Sequence, residues 1–372
     1  MNFQGLNLSA PILRAVTEHG YTTPTPIQQQ TIPHLLAKRD IIGCAQTGTG
    51  KTAAFAIPIL ELLSVKKTHN RHIRSLIVTP TRELAIQIAE NFKAYGKYLD
   101  IRHTAIYGGV PQGRQVSALK NGLDVLITTP GRFLDLLNQG FIDVSRVEIV
   151  VLDEADSMLD MGFIKDVKKI LATLPARIQT LLFSATMPTE IRTFAKSILQ
   201  NPVEVSVTPV SSTAKRVTQS VVFVEQHAKT DLLVKVLSDV TIKRSLVFTR
   251  TKHGADKLVK QLAKTGIDAA AIHGNKSQNA RQKALLDFRN SDIRVLVATD
   301  IAARGIDIDE LPHVVNYEIP NVPETYVHRI GRTGRAGAAG TAISFCDPTE
   351  RADLKSIQKL IGFDVPVVSS YR

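Results

Sequence analysis

"DIIGCAQTGTGKT", residues 40–52, sets a short apolar run against a loop holding Gly48 and Gly50, then Lys51 and Thr52 at the head of a helical pattern. The spacing is nearly that of the phosphate-binding loop G-x-x-x-x-G-K-[ST], with Ala45 in place of the first glycine. Backbone N–H groups from Ala45, Gln46, Thr47, Gly48, Thr49 and Gly50 can turn inward around phosphates at the positive end of the following helix. Lys51 supplies a point charge to the β- and γ-phosphates, and Thr52 offers its hydroxyl to Mg²⁺. A plain Gly-rich strand-to-helix turn does not account for the Lys-Thr that follows. The loop predicts an α/β fold in which this strand feeds this helix.

A second stretch, "VVLDEADSMLDMGF" (150–163), places Asp153, Glu154 and Asp156 at the end of an apolar run. Carboxylates so close repel one another unless a cation lies between them. Taken alone they read as a polar turn at a sheet rim. With a phosphate loop upstream, they read as the acidic strand end that completes Mg²⁺ coordination in nucleotide-hydrolysing folds. Asp153 would hold Mg²⁺ through water, and Glu154 would orient and deprotonate the attacking water. The pair predicts hydrolysis of a nucleoside triphosphate.

The remaining totals narrow the class. A chain of 372 residues suits two domains, each with its own core. No basic cluster followed by an apolar stretch opens the chain, and no apolar run approaches the roughly 18 residues of a membrane span. Cys44 and Cys346 form no metal-ligand spacing and are expected as reduced core residues of a cytoplasmic protein. The formal net charge of +12 points to a polyanionic partner, although a merely basic surface has the same total. Aromatic residues make up only 5% and Trp is absent, so contacts to a nucleic-acid backbone are expected over base stacking.

Strand-like runs alternate with amphipathic helical stretches: "SLIVTP" (75–80), "DVLITTP" (124–130), "EIVVLDE" (148–154), "TLLFSAT" (180–186). After a Val/Ser/Thr-rich stretch over 201–220, read as a linker with its boundary near residue 210, the alternation resumes. "RSLVFTR" (244–250), "DAAAIHG" (268–274), "IRVLVATD" (293–300) and "HVVNYEI" (313–319) follow. The pattern is that of parallel-sheet α/β units. The expected domains are 1–207 and 219–372, joined by 208–218.

"DEAD" (153–156), joined to "AQTGTGKT" (45–52) and "SAT" (184–186), resembles the DEAD-box family of ATP-dependent RNA helicases. The resemblance runs from Phe3 to about Ile361, and "FTRTKHGA" and "AAIHGNKSQNARQKAL" are similar to the bacterial RhlE-type subgroup. It implies two tandem RecA-like domains, each a mostly parallel sheet flanked by helices. The cofactors implied are ATP and Mg²⁺, and the partner is RNA, single-stranded or in short duplexes, largely without regard to sequence. It also implies that residues 3–28 read adenine, with Gln28 bonding the base edge, Tyr21 stacking on it and Phe3 packing behind. A Pro-rich entry loop with a helix-capping Gln is the plainer reading of the same residues.

In the first domain, "PTRELA" (80–85), "YGG" (107–109) and "TPGR" (129–132) resemble the family's RNA-binding motifs. They nominate Pro80, Thr81, Arg82, Gly108, Gly109, Thr129, Pro130 and Arg132. Each motif alone is equally consistent with a helix cap and a surface arginine. In the second domain Thr251, Gly274, Gln278, Arg281 and Thr299 match positions used on or near RNA. Gln278 and Arg281 share a helix face, and a solvated face is nearly as good a reading for Gln278. Gly305 and Asp307 are implied at the nucleotide. "HRIGRTGR" (328–335) repeats arginine at helical spacing, so Arg329, Arg332 and Arg335 are expected on one side of a turn. The resemblance makes Arg332 and Arg335 fingers for the γ-phosphate. It links Asp156, Ser184, Thr186 and His328 to cleft closure. An RNA clamp that does not unwind and a DNA-dependent motor are the two rival readings.

Overall fold

The computed structural model describes residues 2–46, 48–65, 71–207, 217–239, 241–303, 311–334 and 340–369. Thr47, Gly305, Asp307 and Arg335, all nominated above, lie outside the described residues. The chain divides into two units, Met1–Val207 and Thr208–Arg372.

The first unit is built on a seven-stranded, wholly parallel sheet. Its strands are β1 (Ile41–Ala45), β2 (Ser75–Val78), β3 (His103–Ile106), β4 (Val125–Thr128), β5 (Ile149–Leu152), β6 (Gln179–Ser184) and β7 (Val203–Val207), in the order β3-β4-β2-β5-β6-β1-β7. Every residue of β2, β4 and β5 is buried, as a parallel strand covered on both faces requires. Alternate residues serve opposite layers. Ile77 and Val151 pack with the helices Lys51–Ser64 and Arg82–Tyr95. Leu76, Val78, Val150 and Leu152 pack with Pro130–Asn138 and Ile164–Ala172.

The second unit repeats the plan with six parallel strands: β8 (Val217–Phe223), β9 (Ser245–Thr249), β10 (Ala269–Ile272), β11 (Val295–Thr299), β12 (His313–Asn316) and β13 (Gly340–Cys346). Their order is β10-β11-β9-β12-β13-β8. Val247 and Val297 face the helices Lys229–Leu237 and Lys252–Lys264, while Leu246, Phe248 and Leu296 face Gln278–Arg289.

The described residues at the two ends of the stretch read as a linker are mostly strand. Val203–Val207 forms the edge of the first sheet, with Val205 buried and Glu204 and Ser206 exposed. Val217–Phe223 forms the edge of the second and begins inside the expected 208–218 connection. Their Val and Thr content is the cause, because β-branched side chains fit a half-buried pleated edge. Cys346 is buried, but Cys44 on β1 is only partly so, which corrects its placement in the core. Among the described residues, no helix is long and apolar enough to cross a membrane.

Candidate active site at the C-terminal edge of the strands

In a parallel sheet all strands end on one side, so the loop after each strand opens at the same edge. In the first unit that edge sorts the motifs. The neighbours β5, β6 and β1 lead into "DEAD", "SAT" and the glycine loop, while the neighbours β3, β4 and β2 lead into "YGG", "TPGR" and "PTRELA".

After β1 the chain turns through Gly48 and Gly50, both left-handed (φ 85° and 92°), and Gly50 caps the helix Lys51–Ser64. Thr49 Oγ1 donates to the Gln46 carbonyl at 2.6 Å, tightening the turn. Ala45 is buried beside Ile27, Ala54 and Val205. Thr52, one position into the helix, is partly exposed. Lys51 is 7% exposed, and its Nζ has no hydrogen-bond partner among the described residues. A buried ammonium left so is costly unless an anion joins it. The helix start, the turned glycines and this ammonium together fit a polyphosphate.

Gln28 sits at the third position of the helix Pro26–Leu36 and completes a capping box with Thr25. Its Oε1 accepts from Thr25 N at 2.9 Å, and its Nε2 donates to the Gly50 carbonyl at 3.2 Å. Any side chain at Gly50 would collide with this amide. The helix-cap reading of Gln28 therefore holds, and it ties the cap to the glycine loop. One lone pair and one N–H of the amide remain for a ligand. The Tyr21 ring lies 6.4 Å from Phe3 at an interplanar angle of 14°, and its hydroxyl is 3.2 Å from that of Tyr95.

The acidic block separates into three environments. Asp153 follows β5 and is buried. Burial pushes its carboxyl up to about 7, against the opposing pull of Lys51 and with a further push from Glu154. Glu154 caps the helix Ala155–Asp160 in the left-handed region (φ 53°, ψ 55°), a strained conformation for a residue with a side chain. Its Oε2 accepts from Ser157 Oγ at 3.2 Å. Asp156 turns away toward β6. Its Oδ2 accepts from Thr186 N at 2.8 Å, Thr186 Oγ1 at 2.9 Å and Ala185 N at 3.2 Å, and its own N–H donates to Ser184 Oγ. The "DEAD"–"SAT" link is thus a hydrogen-bonded unit inside the first domain. Among the described residues no group of three or more His, Cys, Asp or Glu shares a metal position. A hard cation held by one carboxylate, a hydroxyl and phosphate oxygens suits Mg²⁺, and Thr52 and Asp153 are the donors that fit it.

On the other half of the edge, Thr81 Oγ1 caps the helix Arg82–Tyr95 by accepting from Leu84 N, the structural role weighed for it above. Pro80 precedes it, buried. The Arg82 guanidinium lies over Gly108 and Gly109, close enough that any side chain at Gly109 would collide with it. Thr129 precedes Pro130, the first residue of the helix Pro130–Asn138, and makes no side-chain cap there. Arg132 Nη1 donates to Gln115 Oε1 and Nη2 to the Val110 carbonyl, each at 3.2 Å.

In the second unit, Thr251, Gly274 and Thr299 stand at the ends of the neighbouring strands β9, β10 and β11. Thr251 Oγ1 caps its helix by accepting from Gly254 N at 3.0 Å. Gln278 and Arg281 are 4% and 8% exposed, so the solvated-face reading does not hold. Of the arginines of "HRIGRTGR" that are described, Arg329 and Arg332 are joined by one turn, the Arg332 N–H donating to the Arg329 carbonyl at 3.2 Å. His328 and Arg329 lie in the helix Pro323–Ile330, Gly331 ends it, and Arg332 follows, buried, in the turn beyond. Arg329 points into the unit, with a hydrogen bond from each of its three guanidinium nitrogens. Nε and Nη2 reach Asp300 at 2.5 and 2.8 Å, and Nη1 reaches Asn316 Oδ1 and the Glu318 carbonyl.

Two contributors escaped the sequence reading. Ser157 holds Glu154 from one turn along the helix, a spacing visible in the sequence. Asp300 holds Arg329 across 29 positions, which no local pattern signals.

Residues 25–194 match the family described as DEAD/DEAH box helicase, and residues 228–337 that described as Helicase conserved C-terminal domain. The chain is 42% identical over 373 residues to the DEAD-box ATP-dependent RNA helicase RhpA of Helicobacter pylori, covering 99% of this chain and 75% of that protein. To the DEAD-box ATP-dependent RNA helicase CshA of Bacillus cereus it is 45% identical over 357 residues, covering 96% and 67%. Among solved structures, Saccharomyces cerevisiae Dbp5 bound to RNA and ADP BeF3 matches with a TM-score of 0.89 at 32% identity, covering 99% of this chain and 95% of that one.

Proposed function

Because the chain belongs to the DEAD-box ATP-dependent RNA helicase family, we propose that it couples RNA-stimulated ATP hydrolysis to local, non-processive opening of short RNA duplexes or remodelling of RNA–protein complexes. The observation that supports this most is the buried Lys51 ammonium without a hydrogen-bond partner among the described residues, at the strand edge it shares with Asp153 and Glu154.

Lys51 and the glycine-loop amides bind the phosphates, and Gln28 and Tyr21 read and cover the adenine. Thr52 and Asp153 would hold Mg²⁺, whose charge would offset that of the phosphate oxygens. Glu154 orients a water and takes its proton, with Ser157 fixing the carboxylate. Arg332 and Arg335 add the charge that stabilises the transition state. RNA is held through phosphates and 2′-hydroxyls by residues following β2, β3 and β4 in the first unit and β9, β10 and β11 in the second, which makes binding sequence-independent and selective for RNA over DNA. The free thiols fit a reducing, cytoplasmic setting.

ATP turnover measured with and without RNA, beside strand displacement on RNA and DNA duplexes of equal length, tests the reading. RNA should accelerate turnover, and only the RNA-containing duplexes should open. Arg332→Ala should suppress RNA-stimulated hydrolysis by roughly 10³–10⁵-fold, the contribution of an arginine finger, with ATP-free RNA affinity unchanged. Weaker ATP-free RNA binding, with hydrolysis restored at saturating RNA, would make Arg332 an RNA contact instead.

A further inference from the structure

The helix Gly113–Lys120 buries one residue, and that residue is a glutamine, not an aliphatic. Gln115 is 8% exposed. Burying a primary amide stabilises nothing unless both of its ends are paired. Here they are. Nε2 donates to the Tyr107 carbonyl at 3.1 Å, and Oε1 accepts from the Tyr107 N–H at 3.2 Å. Tyr107 follows β3, an edge strand of the first sheet, so the amide engages the next residue's N–H and C=O as a neighbouring strand would. The same Oε1 takes the Arg132 Nη1 bond, and Arg132 Nη2 reaches on to the Val110 carbonyl. Between these two anchored residues lie Gly108 and Gly109, the latter left-handed at φ 75° beneath Arg82.

We propose that Gln115 is a positioning residue for RNA, setting the direction in which the Gly108–Gly109 backbone leaves β3 and holding the Arg132 fork across that loop. The inference rests on the reading of this loop as part of the RNA track. An aliphatic side chain of equal size would fill the same space at a lower desolvation cost. What the amide adds is orientation of the Tyr107 peptide and of the guanidinium. Gln115 touches none of the glycine-loop residues in its hydrogen bonding, so its effect should appear in RNA binding and not in ATP binding.

Gln115→Met keeps the volume and removes all three bonds. Expected are a melting profile like the parent's, an unchanged ATP affinity in the RNA-free protein, and RNA affinity weakened about tenfold. The RNA KM for ATPase should rise by a similar factor with kcat at saturating RNA retained, a split that general destabilisation does not produce. In a cycle with Arg132→Met, the double variant should lose far less than the product of the single effects, because the two side chains serve one clamp. RNA affinity within twofold of the parent, or independent effects of the two substitutions, would overturn the proposal. If Gln115→Met does not fold, Gln115→Asn, whose amide is one methylene short of Tyr107, takes the same measurements with the same expected and overturning results. Arg82→Ala separates the two levels. If it weakens RNA binding while the Gln115 variants do not, only the positioning role fails. If neither does, the RNA track itself is misplaced.

Discussion

Lys51 and Arg329 are both buried cations next to strand ends, one in each unit, and their surroundings are opposite. Arg329 is 1% exposed, with its guanidinium committed to Asp300, Asn316 and the Glu318 carbonyl and lying 5.0 Å from the centroid of the Phe248 ring. Lys229 in the same unit is likewise enclosed, with Glu350 at 2.5 Å and Asp347 at 3.0 Å. Lys51 has no hydrogen bond from its ammonium among the described residues. A paired buried charge holds a fold in one arrangement, whereas an ammonium without hydrogen bonds, drawn only to the nearby Asp153 carboxyl, keeps a desolvation cost that an anionic ligand can offset. Burial of a charge therefore does not mark a site. Burial without a partner does.

The largest effect expected on the ligand side of this contrast comes from Glu154→Gln. It keeps size and hydrogen bonding, removes the base, and should lower ATP turnover roughly 10²–10⁴-fold with ATP and RNA binding largely intact. Turnover near the parental rate would dissociate the acidic strand end from the chemistry. Next is Arg329→Met, which leaves Asp300 and the polar groups around it without their cation. Denaturant unfolding should show the second unit less stable by about 3 kcal/mol, and a silent substitution would erase the distinction drawn between the two cations. Lys51→Met should act in the opposite sense. Thermal stability should hold or rise, because a buried ammonium with no hydrogen bond among the described residues is removed, while equilibrium binding of a fluorescent ATP analogue weakens roughly 10–100-fold. A drop in stability of the Arg329 kind would show that Lys51 is paired after all. The smallest is Gln28→Ala, which breaks the capping box at a cost of about 1 kcal/mol. It should also erode preference for ATP over GTP, read as the ratio of turnover with each nucleotide. Loss of stability with an unaltered ratio would leave Gln28 as a cap alone.

Local chemistry is legible in the amino-acid order. The Lys51-Thr52 step after two glycines, the carboxylates closing an apolar run, and the alternation of strand and helix each lie within a short segment, where spacing alone brings the groups together. The sequence could not settle between a helix cap and a ligand contact for Thr81 or Gln28, because the same side-chain oxygen serves either use. Over 201–220 the described residues include the edge strand Val203–Val207 and the start of Val217–Phe223, and in "HRIGRTGR" Gly331 ends the helix, with Arg332 in the turn after it.

By itself the sequence determined which chemistry is present: a phosphate loop, an acidic strand end and a set of basic strand-to-helix turns. Only the tertiary structure decided how they are grouped. Along the chain the motifs proposed for the nucleotide follow β1, β5 and β6 and are interrupted by those proposed for RNA, after β2, β3 and β4. In the sheet the order β3-β4-β2-β5-β6-β1-β7 gathers each set on its own half of one edge. The reason is that parallel strands need crossovers, so neighbours in the sheet need not be neighbours in the chain. The partners of Asp156 and Arg329, 30 and 29 positions away, come from that same non-local pairing.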